Sequence, residues 1–134
     1  MDTQQIRTYN IGVEATMAVI SGKWKPLILC HLNKNAMRNG ELIRAIPNIS
    51  QKVLTQQLRE LETDDIVTRH VFAQIPPRVE YCLTAYGKTL VEVTNAMCHW
   101  GERYIDKQRL AGNQVDLLDT NSKYYQKSNE LQAQ

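Results

Sequence analysis

The sequence predicts a mainly α fold carrying one small β-hairpin, an α+β architecture, and three observations support that prediction. Between Ile49 and Tyr81 a helix with a polar face leads into two β-branched runs joined by a Pro-Pro-Arg turn. Helical patterns come before this stretch, and a long heptad-like segment comes after it. With 134 residues, 43% of them hydrophobic, the chain is sized for one modest core. Residues 1–109 are expected to form that domain and residues 110–134 a polar tail.

Val13 to Ile20 is a short apolar-rich pattern closed by Ser21-Gly22, where glycine ends helices readily. A second helix comes next, with Pro26 in its first turn, where a missing N–H costs nothing. Its run Leu27, Ile28, Leu29, Cys30, Leu32 is apolar enough to be buried on most sides. Asn33-Lys34-Asn35 ends it. A short third helix runs from about Gly40 to Ala45, with Leu42, Ile43 and Ile46 as its apolar face, and Pro47-Asn48 breaks it.

Ser50 is placed to cap the next helix by accepting from the free N–H groups of its first turn. Leu54, Leu58 and Leu61 form its core stripe, and Lys52, Thr55, Gln56 and Arg59 share a second face. Beyond Asp64-Asp65, Ile66 to Phe72 and Val79 to Leu83 read as a hairpin. The two prolines of Ala73-Gln74-Ile75-Pro76-Pro77-Arg78 stiffen its connection. Thr84 is then expected to cap a long helix reaching about Gln108. Leu90, Val93, Met97, Trp100 and Tyr104 step by 3, 4, 3 and 4, an a/d seam too short for an independent coiled coil, so the reading pairs this helix with a second subunit. The segment Asn121 to Gln134 reads as a frayed tail or a marginal helix.

Composition excludes more than it assigns. Sixteen basic against 14 acidic residues leave a formal charge of +2, which carries no nucleic-acid signature by itself. No run approaches a membrane span and the first residues lack the apolar core of a secretory signal, so the expected location is cytoplasmic, with no membrane partner. Cys30, Cys82 and Cys98 form no CxxC pair and read as reduced, mostly packed thiols. His31, His70 and His99 lack metal-ligand spacing. No metal, no cofactor and no catalytic residue is expected, because no nucleophile, base and oxyanion site converge. Trp24 and Trp100 read as core or interface anchors.

The order of elements is that of a helix-turn-helix with a wing after it, in which the second helix enters the major groove of duplex DNA. A stripe such as Lys52, Thr55, Gln56 and Arg59 is in most proteins a solvated helix face; the elements around it favour contact with DNA. Gln and Arg can read adenine and guanine edges bidentately, while Ser50, Lys52 and Thr55 suit phosphates or methyl groups, and Gln51 beside them is a further DNA-contact candidate. Arg38 ahead of the third helix and Arg69 and Arg78 on the hairpin are the other DNA-contact candidates. Arg78, at the wing tip, is the strongest for phosphate, with Glu80 beside it as an intrachain partner. Glu60, Glu62, Asp64 and Asp65 make the far end of the reading helix acidic.

Four motifs carry a resemblance: GKWKPLIL at Gly22 to Leu29, GELIRAIPNISQKVLTQQLRELE at Gly40 to Glu62, PPRVEYCLTAYG at Pro76 to Gly87, and CHWG at Cys98 to Gly101. Over roughly Val13 to Ile105 the chain resembles the HxlR-type winged helix-turn-helix transcriptional regulators of bacteria. The resemblance implies homodimers on operator DNA, dimerising through the N-terminal and long C-terminal helices, with the helix after Ser50 as reader and the hairpin as wing. Three departures matter. Ile11 or a neighbour stands where redox-sensing members carry a cysteine, so sensing through that position is not carried over; Cys30, Cys82 or Cys98 would need exposure and a lowered pKa to replace it. Arg38-Asn39-Gly40 lacks an aromatic after the arginine. Asp65 replaces a common glycine, which suggests a different local turn.

The resulting expectation is a homodimeric, sequence-specific DNA-binding regulator, by default a repressor, on an inverted-repeat operator. A small-molecule effector acting at the dimer interface is compatible with it. The rival is a winged-helix protein-interaction module without sequence-specific DNA binding, which the near-neutral charge favours slightly.

Overall fold

Residues 6–118 are described by a computed structural model. Its elements are α1 (Gly12–Ile20), α2 (Trp24–Lys34), α3 (Asn39–Ala45), α4 (Gln51–Thr63), β1 (Val67–Phe72), β2 (Arg78–Leu83), a 3-10 turn (Gly87–Leu90) and α5 (Val91–Leu110). They fall into two compact units, Met1–Val91 and Glu92–Gln134. The expectation for Asn121 to Gln134 lies outside the described residues.

In the first unit the core is Ile20, Ile28, Leu29, Leu32, Leu42, Ile46, Ile49, Leu54, Leu58, Leu61, Ile66 and Val67, all buried. α1 stops at Ser21, and Gly22 turns the chain at φ +88, a conformation that side chains with a Cβ disfavour. In α2 the expectation of burial on most sides fails at Leu27, which is 40% exposed. The helical repeat explains it: Ile28, Leu29 and Leu32 centre on one face, and Leu27 lies almost opposite. Arg38 caps α3, its backbone N–H donating to the Glu41 carboxylate at 3.1 Å. Asn48, at φ +69, takes the left-handed turn that separates α3 from α4.

Ser50 caps α4 as expected, its Oγ accepting from the Val53 N–H at 3.1 Å. At the other end Ile66 N–H reaches the Leu61 carbonyl at 2.9 Å and Asp65 N–H the Glu62 carbonyl at 3.0 Å. This closure requires the residue between to be left-handed, and Asp65 is, at φ +60. The aspartate therefore builds the same kind of turn as a glycine would, and the different turn expected there does not form.

β1 and β2 pair antiparallel from Val67 with Leu83 to Phe72 with Arg78. A bridge on the other side of β2 was not foreseen: Met37 exchanges both backbone hydrogen bonds with Tyr81, at 2.9 and 2.8 Å, and so covers part of the outer edge of β2. Thr84 does not start the long helix directly. Its Oγ1 accepts from Gly87 N–H at 2.8 Å and donates to the Asp65 carbonyl at 2.6 Å, locking a 3-10 turn onto the end of α4. α5 begins only at Val91.

The second unit comprises α5 from Glu92 onward and the described residues beyond it. The helix runs two residues past Gln108, and after it Arg109 Nε donates to the Val115 carbonyl at 2.9 Å. Among the described residues no helix is long and apolar enough to cross a membrane.

Candidate nucleic-acid interface

α4 is a rigid platform because its inner stripe is sealed: Leu54, Leu58 and Leu61 are at most 1% exposed. The repeat that buries them turns Lys52, Gln56 and Arg59 outward, and all three are exposed. Thr55 is half-buried beside them and accepts a hydrogen bond from Gln51 Nε2 at 3.0 Å. Ser50 uses its oxygen in the cap, which leaves the hydroxyl proton to donate. Expected donors therefore gather at the N-terminal half of one helix, where the helix dipole also favours an anion.

The flanking arginines are already engaged. Arg38 Nε lies 3.0 Å from Glu41 Oε1, and the backbone and side-chain hydrogen bonds from Arg38 hold that carboxyl below its usual range, aided by the charges of Arg38 and Arg44. Arg78 pairs with Glu80 and stands 5.6 Å from the ring centroid of Phe72, against which His70 packs edge-on at 4.8 Å. Strand alternation places Arg78 and Glu80 on the hairpin face shared by His70 and Phe72, and Arg69 on the other face with Val71. The structure thus does not bring Arg69 and Arg78 together.

Glu60 is the site residue whose role the sequence reading missed. Read there only as part of an acidic helix end, it instead meets Lys25 of α2, Oε2 to Nζ, at 2.6 Å. The hydrogen bond from Lys25, then its charge, pull the Glu60 carboxyl below the ordinary value of 4.5; partial desolvation opposes them and a hydrogen bond from Gln56 adds to them. The available signal was the first turn of α2, where a lysine stands at a position that the helical repeat points inward.

On α5 the expected seam is unevenly placed. Leu90 sits in the 3-10 turn ahead of the helix, Val93 is half-buried, and Met97, Trp100 and Tyr104 are 47%, 63% and 51% exposed. Trp100 stacks on Tyr104 at 5.8 Å between centroids. Glu92, Val93, Ala96, Met97 and Trp100 line an open, mostly apolar depression of about 650 Å³. Cys98 is exposed, contrary to the packed thiol expected, while Cys30 and Cys82 are half-buried. Among the described residues no group of His, Cys, Asp and Glu is arranged for a metal ion. A cleft between α1 and the base of the hairpin, lined by Val19, Ile66 and Tyr86 among others, holds about 220 Å³, below the usual range for a drug-sized ligand.

Residues 19–109 match the profile of a family described as HxlR-like helix-turn-helix. The chain is 50% identical over 113 residues to the uncharacterized HTH-type transcriptional regulator YtcD of Bacillus subtilis (strain 168), covering 84% of this chain and 88% of that protein. The crystal structure of YtcD superposes with a TM-score of 0.68, covering 72% of this chain and 98% of that one. The redox regulator HypR in its reduced form superposes with a TM-score of 0.69 at 46% identity, covering 72% and 96%.

Proposed function

The chain belongs to the HxlR-like helix-turn-helix family of transcriptional regulators, and from that premise we propose that it acts as a homodimer on an inverted-repeat operator, by default as a repressor. One observation carries the reading: Lys52, Gln56 and Arg59 stand exposed on a helix whose opposite stripe is fully sealed, so they are held as a set. Gln56 and Arg59 read base edges; Ser50, Lys52 and Thr55 grip phosphates and methyl groups, with Gln51 a further DNA contact; Arg38, Arg69 and Arg78 add backbone contacts. Residues 1–109 work as one DNA-binding and dimerisation domain, with residues 110–134 as its tail. The exposed Met97, Trp100 and Tyr104 supply the apolar surface that a second copy covers, together with Leu90, Val93 and the N-terminal helix. The two reading helices of such a homodimer meet successive major grooves about 34 to 36 Å apart.

The test is fluorescence anisotropy with a duplex that the protein itself selects from a randomised pool, at two salt concentrations. A palindromic site bound far more tightly than random duplex is expected. Gln56→Ala or Arg59→Ala should lower the ratio between the two, and Arg78→Ala should weaken both and flatten the salt dependence. No duplex binding at either salt concentration would replace this reading with that of a protein-interaction module.

A further inference from the structure

The tip of the hairpin carries no charge. Beyond the last rung of the ladder, Phe72 with Arg78, stand Ala73, Gln74, Ile75, Pro76 and Pro77. All five are exposed, and Ile75, at 101%, is the most exposed large hydrophobic residue among those described. A tip built to grip phosphates would present donors, and this one has few. Pro76 and Pro77 have no N–H, and the Gln74 N–H is used on the Phe72 carbonyl at 3.0 Å. The nearest cation, Arg78, sits one step back on the last rung, beside Glu80 and the Phe72 ring.

What the tip offers instead is a stiff apolar point. Isoleucine is branched at Cβ and has few rotamers, a residue before proline has a restricted backbone, and the two rings that follow fix φ. Holding Ile75 in one place therefore costs little entropy. Single exposed apolar side chains are ordinary on protein surfaces. This one differs in its setting: it ends a projection of a helix-turn-helix regulator, with Arg69 and Arg78 behind it and a single acid, Glu80, in the whole hairpin. Two strands of 6 residues make that projection about 20 Å long. With α4 in a major groove, the middle of the neighbouring minor groove is half a helical turn away, about 17 Å. At about 6 Å wide, the minor groove is too narrow for a two-stranded ribbon but admits a side chain, between walls formed by the sugars.

We propose that Ile75 is a specificity-determining contact: it enters the minor groove next to the α4 site as an apolar wedge against the sugars and a base step, while Arg78 meets the phosphates at the rim. The 2-amino group of guanine projects into that groove and opposes close approach, so the wedge selects A·T over G·C at a base pair that α4 does not contact. The proposal rests on the reading of α4 as the major-groove helix.

The experiment titrates the full chain, by fluorescence anisotropy, against the duplex that it selects from a randomised pool. Each A·T pair is exchanged in turn for G·C and for inosine·C, which presents the minor groove of A·T with the major groove of G·C. Wild type, Ile75→Ser, Ile75→Leu and Gln56→Ala are compared, each melted first to establish that it folds. For wild type, at least one base pair should bind roughly tenfold less tightly as G·C yet within about twofold of the original as inosine·C. Ile75→Ser should shrink that difference to within about twofold and weaken binding overall, whereas Ile75→Leu, still apolar, should keep it. Gln56→Ala should also keep it, because Gln56 acts in the other groove. If Ile75→Ser retains the full difference, or if no base pair distinguishes inosine from guanine, the wedge is overturned while the major-groove reading stands. Duplex binding by Ile75→Ser equal to wild type on every sequence would overturn it too and assign the tip to a protein partner. If wild type binds no duplex, both readings fall together.

Discussion

Gly87 should be the least replaceable glycine of the described chain. A Cβ built there meets the Ile66 carbonyl oxygen at 2.0 Å and its carbon at 2.9 Å, and both are backbone atoms that no rotamer change can move. Restoring ordinary contact requires the two segments to separate by about 1 Å, since Cβ atoms essentially never approach closer than 3.0 Å. That carbonyl accepts from Thr84 N–H at 3.0 Å, so the separation takes this bond beyond bonding distance; the Thr84 hydroxyl proton goes to the Asp65 carbonyl instead. Losing that hydrogen bond at about 1 kcal/mol, and leaving a buried carbonyl unsatisfied for a further 1 to 3 kcal/mol, gives roughly 2 to 4 kcal/mol for Gly87→Ala. At about 4 °C per kcal/mol the melting temperature falls by roughly 8 to 16 °C. Gly22→Ala is the internal control: nothing lies within 4 Å of its Cβ, and only the left-handed φ of +88 opposes it, at about 1 to 2 kcal/mol. Thermal melts monitored by circular dichroism measure both. A Gly87→Ala protein that melts no lower than Gly22→Ala would refute the reasoning that the Thr84 corner is locked by backbone contact.

The same structure sets three further outcomes. Ser50→Ala removes the acceptor of the Val53 N–H and should cost about 1 kcal/mol, with Ser50→Gly costing only a few tenths, as read by denaturant unfolding. Glu80→Gln removes the charge that pairs with Arg78, and should tighten binding to random duplex and steepen its salt dependence by close to one phosphate contact; an unchanged slope would mean that Arg78 does not reach the backbone. Glu41 and Glu60 both have carboxyls held below the ordinary 4.5, so the unfolded chain takes up protons before the folded one does. Their contribution is complete above that value and is lost as pH falls through the lower folded values, so acid unfolding below pH 4.5 should be shallower in the Lys25→Met, Glu60→Leu variant than in wild type.

Much of the first unit was legible because periodicity and turn chemistry are local. The leucine stripe of α4, the Ser50 cap and the hairpin strands each announce themselves within a few residues, and all appear where expected. Contacts between distant segments left no such trace. Met37 joins Tyr81 through two backbone hydrogen bonds, so no side-chain pattern could mark that bridge. The Thr84 hydroxyl was read as the cap of a long helix because its sequence neighbours suit one, yet Asp65, far behind in the chain, claims it and a 3-10 turn intervenes. Asp65 shows the converse: its type argued against a left-handed turn, and the hydrogen bonds that close α4 imposed one. At the interface, residue type marked Gln56 and Arg59, but nothing in the sequence tied Lys25 to Glu60.

The charge pattern also explains why composition gave no nucleic-acid signature. A formal charge of +2 would suggest a weak electrostatic grip if the charges were spread evenly. They are not: Glu41, Glu60 and Glu80 stand against Arg38, Lys25 and Arg78, so these acids offset cations locally, while Lys52 and Arg59 stay exposed on the outer face of α4. The exposed pairs at Arg38 and Arg78 are worth at most about 1 kcal/mol each, so a phosphate can take over either arginine at little cost. Lys25 differs, being buried beside its carboxylate, and no phosphate can reach it. Of the three pairs, two can exchange partners when DNA arrives and one cannot. The one that cannot exchange joins α2 to α4, so it belongs to the platform, and the two labile pairs are the ones that serve affinity.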